Sequence, residues 1–155
     1  MTDKLALKYL RKMIHADLDN VMQGELASYP HPWTIGNFED CLRNRRLFSC
    51  WVFELDEKFA GHVMLSTGAG EAHILNICVY PDYQNQGWGR KLLAEAELIA
   101  KQHQAENCIL EVRKSNKVGI HLYHSEGYNE IGLRKDYYPA KKGREDAIVM
   151  AKTLF

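Results

Sequence analysis

Gln84-Asn85-Gln86-Gly87-Trp88-Gly89 joins an apolar run at residues 74–80 to a segment that starts near Trp88 and carries Leu92, Leu93, Ala96, Ile99 and Ala100 at helical spacing. A glycine-rich turn between a strand and a helix is an anion cradle. Glycine lets the backbone approach closely, and the unpaired amides of a first helical turn point at whatever sits there. Arg90 and Lys91 follow directly. Cations in a first turn oppose the helix dipole by about 0.3–1 kcal/mol unless an anion offsets them, so the stretch predicts a bound anion. It is not a Walker loop, because Gly-Lys-Ser/Thr is missing, and it is not a dinucleotide fingerprint, because Gln84 replaces the first glycine. Residue types alone leave a pyrophosphate site and an ordinary strand-to-helix turn both open.

Outward from this stretch the chain alternates strands and helices. Leu5, Leu7 and Tyr9 alternate with Lys4, Ala6 and Lys8, which predicts a first strand; residues 15–28 read as a helix, broken by Tyr29-Pro30-His31-Pro32. Thr34 caps a second helix running to about Arg43. Residues 48–55 and 59–66 are β-like runs joined through Asp56-Glu57-Lys58 as a hairpin, and Gly68-Ala69-Gly70 closes the second run. After the glycine motif and its helix come a strand at residues 108–113, a short helix at 116–125, Gly127 at a left-handed position, and two strands near 128–134 and 146–153. Strand, helix, strand around the motif makes a βαβ unit, whose ligands sit beyond the carboxyl ends of its strands.

At 155 residues without repeats or linkers, one domain spanning 1–155 is expected, long enough to bury a core. Twenty basic residues against 20 acidic give no net field, so nucleic acid is not an expected partner, and Arg43, Arg45 and Arg46, like Lys141, Lys142 and Arg144, read as solvated surface. Cys41, Cys50, Cys78 and Cys108 form no CxxC pair and suit a reducing compartment. Neither a signal peptide nor an apolar span is visible, so the expectation is a cytoplasmic protein with no membrane contact.

The loop resembles the Gln/Arg-x-x-Gly-x-Gly/Ala acetyl-coenzyme A loop of the GCN5-related N-acetyltransferases, and the element order is similar over nearly the whole chain. Leu110-Glu111-Val112-Arg113-Lys114-Ser115-Asn116, then Leu122-Tyr123, Gly127-Tyr128, Tyr137-Tyr138-Pro139 and Gly143-Arg144-Glu145-Asp146-Ala147 resemble, in order and spacing, the bacterial ribosomal-protein-alanine N-acetyltransferase branch. The resemblance implies an α/β fold of the GNAT type. Its mixed, mostly antiparallel central sheet has parallel, splayed fourth and fifth strands, with helices on both faces. It also implies acetyl-coenzyme A as cosubstrate. The amides of Asn85, Gln86, Gly87, Trp88, Gly89 and Arg90 would hold the pyrophosphate, Ile77, Cys78 and Val79 would meet the pantetheine arm and thioester, and Asn116 would also touch the cofactor. Splayed strands would leave amides of residues 77–79 free to polarise the acetyl carbonyl.

Glu111, between Leu110 and Val112, points to the opposite face of its strand. Read alone it is a solvated position; the resemblance makes it the general base, a task that suits a partly desolvated carboxylate. Tyr123, by default a packing tyrosine, becomes the proton donor to the departing thiolate. His121 and His124 lack a third metal donor at suitable spacing, so no metal is expected. Cys78 could accept the acetyl group covalently, yet its strand context reads as a buried thiol. The implied acceptor is a protein N-terminus, an alanine of a small-subunit ribosomal protein. It would lie between the segment at 29–33, with Trp33, and a loop carrying Tyr137 and Tyr138. Asn76 stands where relatives often carry an acidic residue, which leaves a role there in amine binding open. Two alternatives remain: acetylation of lysine or small amines by the same fold, and a non-catalytic acyl-coenzyme A-binding module.

Overall fold

The computed structural model describes residues 7–155. Seven strands form one sheet in the order β1-β2-β3-β4-β5-β7-β6. They are β1 (Leu10–Lys12), β2 (Phe48–Leu55), β3 (Lys58–Gly68), β4 (Glu71–Val79), β5 (Asn107–Arg113), β6 (Asn129–Pro139) and β7 (Arg144–Thr153), with helices α1 (Leu18–Ser28), α2 (Ile35–Arg43), α3 (Trp88–Gln102) and α4 (Lys117–Ser125) between them. Every neighbouring pair is antiparallel except β4 and β5, which run parallel through the α3 crossover.

Alternation along the strands loads both faces. Trp51, Phe53, Val63, Leu65 and Ile74 meet Leu92, Ile99 and Ala96 of α3 on one face. Val52, Cys50 and Met64 meet Val21 of α1 and Phe38 of α2 on the other. Each large side chain buried this way contributes about 1.5–3 kcal/mol. The helices are therefore on both faces, as the resemblance implies.

Local signals explain most boundaries. Thr34 Oγ1 accepts from the Asn37 amide at 3.1 Å while Asn37 Oδ1 accepts from the Thr34 amide at 3.0 Å, a reciprocal cap that starts α2. Asp56 and Glu57 both take positive φ, the geometry of a tight hairpin turn between β2 and β3. Gly127, at φ 95°, ends α4 in the left-handed region as its sequence position predicts.

The first strand is a correction. Residues 4–6 of the expected alternation lie outside the described residues, and the observed strand is the short segment Leu10–Lys12. At its start, the amides of Tyr9 and Leu10 donate to the buried carboxylate of Glu95 on α3, at 3.1 and 3.0 Å. A side chain satisfies these amides, while the Tyr9 carbonyl accepts from the Glu54 amide of β2 at 3.0 Å. β6 also runs further than expected, to Pro139, so Tyr137 and Tyr138 lie in a strand rather than a loop. A register shift between Arg134 and Tyr138, with Asp136 at φ 53°, kinks that strand, and Arg144 pins it by donating to the Asp136 and Tyr137 carbonyls.

Candidate active site

The feature that positions the site is where β4 and β5 part. Their pairing runs from Glu71↔Asn107 to Ile74↔Leu110 and stops, although β4 continues on β3 to Val79 and β5 continues on β7 to Arg113. A bulge at Leu75 coincides with the divergence: Met64 pairs with Asn76 while Leu65 pairs with Ile74. It turns the strand so that Asn76 and Cys78 face α1, whereas Ala72 and Ile74 face α3. Beyond it, one edge of each strand is without a ladder partner among the described residues.

The alternation of an antiparallel ladder identifies which β4 groups face this gap. The Tyr80 amide donates to Ala60 of β3 at 2.8 Å, and Gly61 packs so closely on the Cys78 carbonyl that a Cβ there would stand 2.1 Å from its oxygen. Cys78 thus faces β3, and Ile77 and Val79 face the gap. Their carbonyls confirm the direction, accepting from the Tyr29 hydroxyl at 2.5 Å and from Gln84 Nε2 at 2.9 Å. Of the three sequence candidates on this strand, Ile77 and Val79 present amides to the opening while Cys78 does not. Its side chain is buried beside Glu25, and burial, with Glu25 adding to it, pushes the thiol up to about 12, so the thiolate needed for covalent transfer is disfavoured.

Downstream, the cradle forms at the same end of β4. α3 has no side-chain cap; its cap position is Gly87 at φ 84°, with open space where a Cβ would be. Asn85 also takes positive φ, at 62°. Among the described residues the amides of Asn85, Gln86 and Gly87 donate to no backbone acceptor, and the first-turn amides of Trp88, Gly89 and Arg90 have no partner within the helix. The Gln86 side chain braces the loop by donating to the Asp82 carbonyl at 3.2 Å. The Trp88 ring is a core group, 5.2 Å from Tyr9 and 5.7 Å from Phe53. Gly89 lies against Leu122 of α4.

The first-turn cations do not call for a bound anion. Arg90 pairs with Glu126 and donates to Ser125 Oγ at 3.1 Å, and Lys91 sits 4.6 Å from the centre of the Trp88 ring. Both charges have partners inside the protein, so the free amides and the glycine, not the cations, carry the case for an anion. Asn116 is also engaged: its Oδ1 accepts from the Gly119 amide at 2.9 Å and caps α4.

Glu111 is the first residue of β5 past the last β4 pair, and its side chain is 7% exposed. One oxygen meets His73 of β4, the other lies 3.2 Å from Arg134 Nε of β6, and this second oxygen is buried without a hydrogen bond. Tyr123 projects from α4 onto the α3 side of the sheet, packed on Tyr128 with ring centres 5.9 Å apart. Burial, helped by Cys108, pushes its phenol up to about 12, so it stays protonated at any working pH. Tyr138 closes the other side. Burial raises its hydroxyl above the ordinary value, as do Glu111, Tyr137 and Tyr123, while Arg113, 4.5 Å from its ring centre, opposes them. Tyr137 lies edge-on to it at 4.8 Å. The carboxylate, a phenol and the aromatic hairpin therefore gather around the gap.

The acceptor side differs from expectation at Trp33, whose ring packs 5.1 Å from Phe38 in the α1–α2 core and whose amide donates to Glu25 at 2.9 Å. Tyr29, from the same loop, enters the gap instead. Although over a third of the residue is exposed, enclosure of its hydroxyl, followed by Cys78, Tyr123 and Glu25, raises its phenol above the ordinary value. Behind it lies a buried polar chain that sequence reasoning missed. Glu25 accepts from His62 Nε2 at 2.9 Å and Asn76 Nδ2 at 3.1 Å, and His62 Nδ1 accepts from the Tyr80 hydroxyl at 2.8 Å. Burial alone would raise the Glu25 carboxyl; the bonds from His62, Trp33 and Asn76 outweigh it and hold the group below the usual carboxylate range. Glu25, His62 and Cys78 also bring metal-ligand atoms within 4.8 Å of one another, but His62 and Glu25 are turned into a mutual hydrogen bond. His124 pairs with Glu130 at 3.6 Å, and His121 is exposed. No helix among the described residues is long and apolar enough to cross a membrane.

Comparison with known proteins adds an independent line. The family model described as Acetyltransferase (GNAT) family matches residues 18–128. The [ribosomal protein bS18]-alanine N-acetyltransferase of Escherichia coli strain K12 is 38% identical over 137 residues, covering 87% of this chain and 90% of that protein. The protein of the same name from Haemophilus influenzae is 32% identical over 136 residues, covering 87% and 91%. The crystal structure of the ribosomal-protein-S18-alanine N-acetyltransferase from Escherichia coli superimposes with a TM-score of 0.86 at 34% identity, over 94% of this chain and 92% of that one.

Proposed function

Because the chain belongs to the acetyltransferase (GNAT) family, we propose that it transfers the acetyl group of acetyl-coenzyme A by direct attack to the N-terminal α-amine of a protein, an alanine terminus of a small-subunit ribosomal protein. The observation that carries the reading is Glu111: a buried carboxylate at the point where β4 and β5 separate, with one oxygen that accepts no hydrogen bond and has only the ion pair to the half-exposed Arg134. A buried acceptor without a hydrogen bond costs up to about 1–3 kcal/mol, of which the half-exposed arginine offsets only a part, and a proton-bearing ligand removes the rest.

The residues divide the work. The free amides from Asn85 to Arg90 suit a pyrophosphate at the open start of α3. The gap-facing amides of Ile77 and Val79 suit the pantetheine arm, and one of them can donate to the acetyl oxygen as negative charge grows there. Glu111 takes the proton that the amine nitrogen loses on bonding to the acetyl carbon. Tyr123 gives its proton to sulfur as the carbon–sulfur bond breaks. Tyr138 and Tyr29 narrow the entrance on the acceptor side. Four free, buried thiols agree with a reducing, cytoplasmic setting, where ribosomal proteins are made.

An α-amine makes the smallest demand on this site. Its pKa is about 7.7–8.0 against about 10.4 for lysine, so deprotonating lysine costs roughly 3.5 kcal/mol more. Turnover of acetyl-coenzyme A with an alanine-starting peptide, compared with the same peptide blocked at its N-terminus but retaining a lysine, tests the reading. Activity only on the unblocked peptide is expected. Activity on the blocked peptide alone would move the acceptor to lysine, and binding of acetyl-coenzyme A without turnover of any amine would make the chain a binding module.

A further inference from the structure

Among the described residues, two buried side-chain oxygens have no hydrogen-bond partner: Asn76 Oδ1, and Glu111 Oε1, which has only the ion pair to the half-exposed Arg134 at 3.2 Å. Both are acceptors, and they stand on the two strands that separate, Glu111 directly after the last paired residue of β5 and Asn76 directly after the bulge in β4. The orientation of the Asn76 amide follows from its neighbour. A carboxylate only accepts, so the group 3.1 Å from Glu25 Oε1 must be Asn76 Nδ2. Glu25 is itself fixed, with the Trp33 amide on one oxygen and His62 Nε2 on the other. His62 lies on β3, opposite Cys78, which sets Glu25 Oε1 toward the β3 side of β4. An amide whose nitrogen turns that way turns its oxygen toward the side from which β5 has withdrawn.

We propose that Asn76 Oδ1 and Glu111 Oε1 together receive the two N–H groups of a neutral primary amine, which makes Asn76 the residue that selects a primary over a secondary amine. With both N–H groups so held, the nitrogen lone pair is the one direction left, and it serves the bond to the acetyl carbon. The chain Tyr80–His62–Glu25 is the positioning device that keeps Asn76 turned as an acceptor. The assignment rests on the transferase reading above but not on which amine is the native one.

The test compares kcat/KM for an alanine-starting peptide and its N-methylalanine counterpart, or for whichever primary amine the wild-type protein accepts and its N-methyl form. Wild type should favour the primary amine by about tenfold or more, the scale of one hydrogen bond to a polar or charged partner. Asn76→Ala should lose about tenfold on the primary amine and little on the methylated one, collapsing the preference, with the KM for acetyl-coenzyme A unchanged. Glu25→Gln should do the same without touching residue 76, because its amide nitrogen can donate to Asn76 Oδ1 and turn Nδ2 into the gap; a merely structural role would lower both rates together. A wild type that takes both amines equally overturns the assignment whatever the variants do. So does a preference that persists in both folded variants, and in either case the transferase reading stands. A wild type inactive on every amine refutes that reading and the assignment with it.

Discussion

Replacing Glu111 with glutamine separates chemistry from structure at one atom. The side chain is nearly isosteric, and its carbonyl can still accept from His73. What it loses is the charge facing Arg134 Nε at 3.2 Å, and since the Arg134 side chain is 53% exposed, solvent discounts that pair to under about 1 kcal/mol. On a chain of this length such a change lowers Tm by no more than about 4 °C. Activity should fall far more, by about 10²–10³ in kcat/KM, because an amide cannot take the amine's proton. The deficit depends on pH in a defined direction. With an α-amine pKa of about 7.7–8.0, roughly one amine in seven is neutral at pH 7 and nearly all are at pH 9, so the variant recovers about sevenfold across that range as the need for a base disappears. Initial rates with an alanine-starting peptide from pH 6.5 to 9, alongside thermal melts, measure both quantities. A folded Glu111→Gln protein within threefold of wild type throughout would refute Glu111 as the base.

Tyr123→Phe should lower kcat about 10²-fold with little change in either KM. The same phenol predicts an alkaline limit. Its folded pKa of about 12 exceeds the unfolded value of about 10, so the stability from keeping it neutral is complete below pH 10 and is lost as pH rises through 12; melts over that window should fall, and fall less in the variant. Gly87→Ala forces a side chain into a backbone at φ 84°, at a strain of about 1–2 kcal/mol, and puts a methyl into the cradle, so the KM for acetyl-coenzyme A should rise about tenfold with kcat retained. Gly61→Ala sets a Cβ 2.1 Å from the Cys78 carbonyl oxygen and 3.0 Å from the Phe53 ring, which prises β3 from β4; a loss above about 3 kcal/mol, roughly 10 °C in Tm, is expected by calorimetry.

Much of this architecture is legible because its signals are local. Thr34, Gly127 and the Asp56–Glu57 turn announce themselves within four residues, and the apolar face of α3 recurs with the helix period. What the sequence hides is carried by distant partners. Glu95 reads as a surface helix glutamate, yet it holds the backbone that leads into β1, and alternation placed that strand too early. The bulge at Leu75 lies inside a run that is apolar except for Asn76, with no glycine or proline to mark it. Arg90 and Lys91 drew an inference from the helix dipole that Glu126 and Trp88 had already answered from the folded neighbourhood. His73, Tyr29 and the chain from Tyr80 to Asn76 are polar residues scattered over α1, β3, β4 and the segments that follow α1 and β4, and only the folded sheet brings them to one opening. Glu111 and Tyr123 became visible through family resemblance; period-two alternation assigned Glu111 a face without saying that the next strand would be missing there.

If the gap between β4 and β5 delivers an acetyl group to an α-amine, a labelled acetyl group will show it. The most direct measurement incubates the protein with isotopically labelled acetyl-coenzyme A and small-subunit ribosomal proteins that lack N-terminal acetylation, then locates the label by tandem mass spectrometry. Label on the α-amine of an alanine terminus, absent with Glu111→Gln, is the predicted result. Label confined to lysine side chains, or none on any protein, would contradict it.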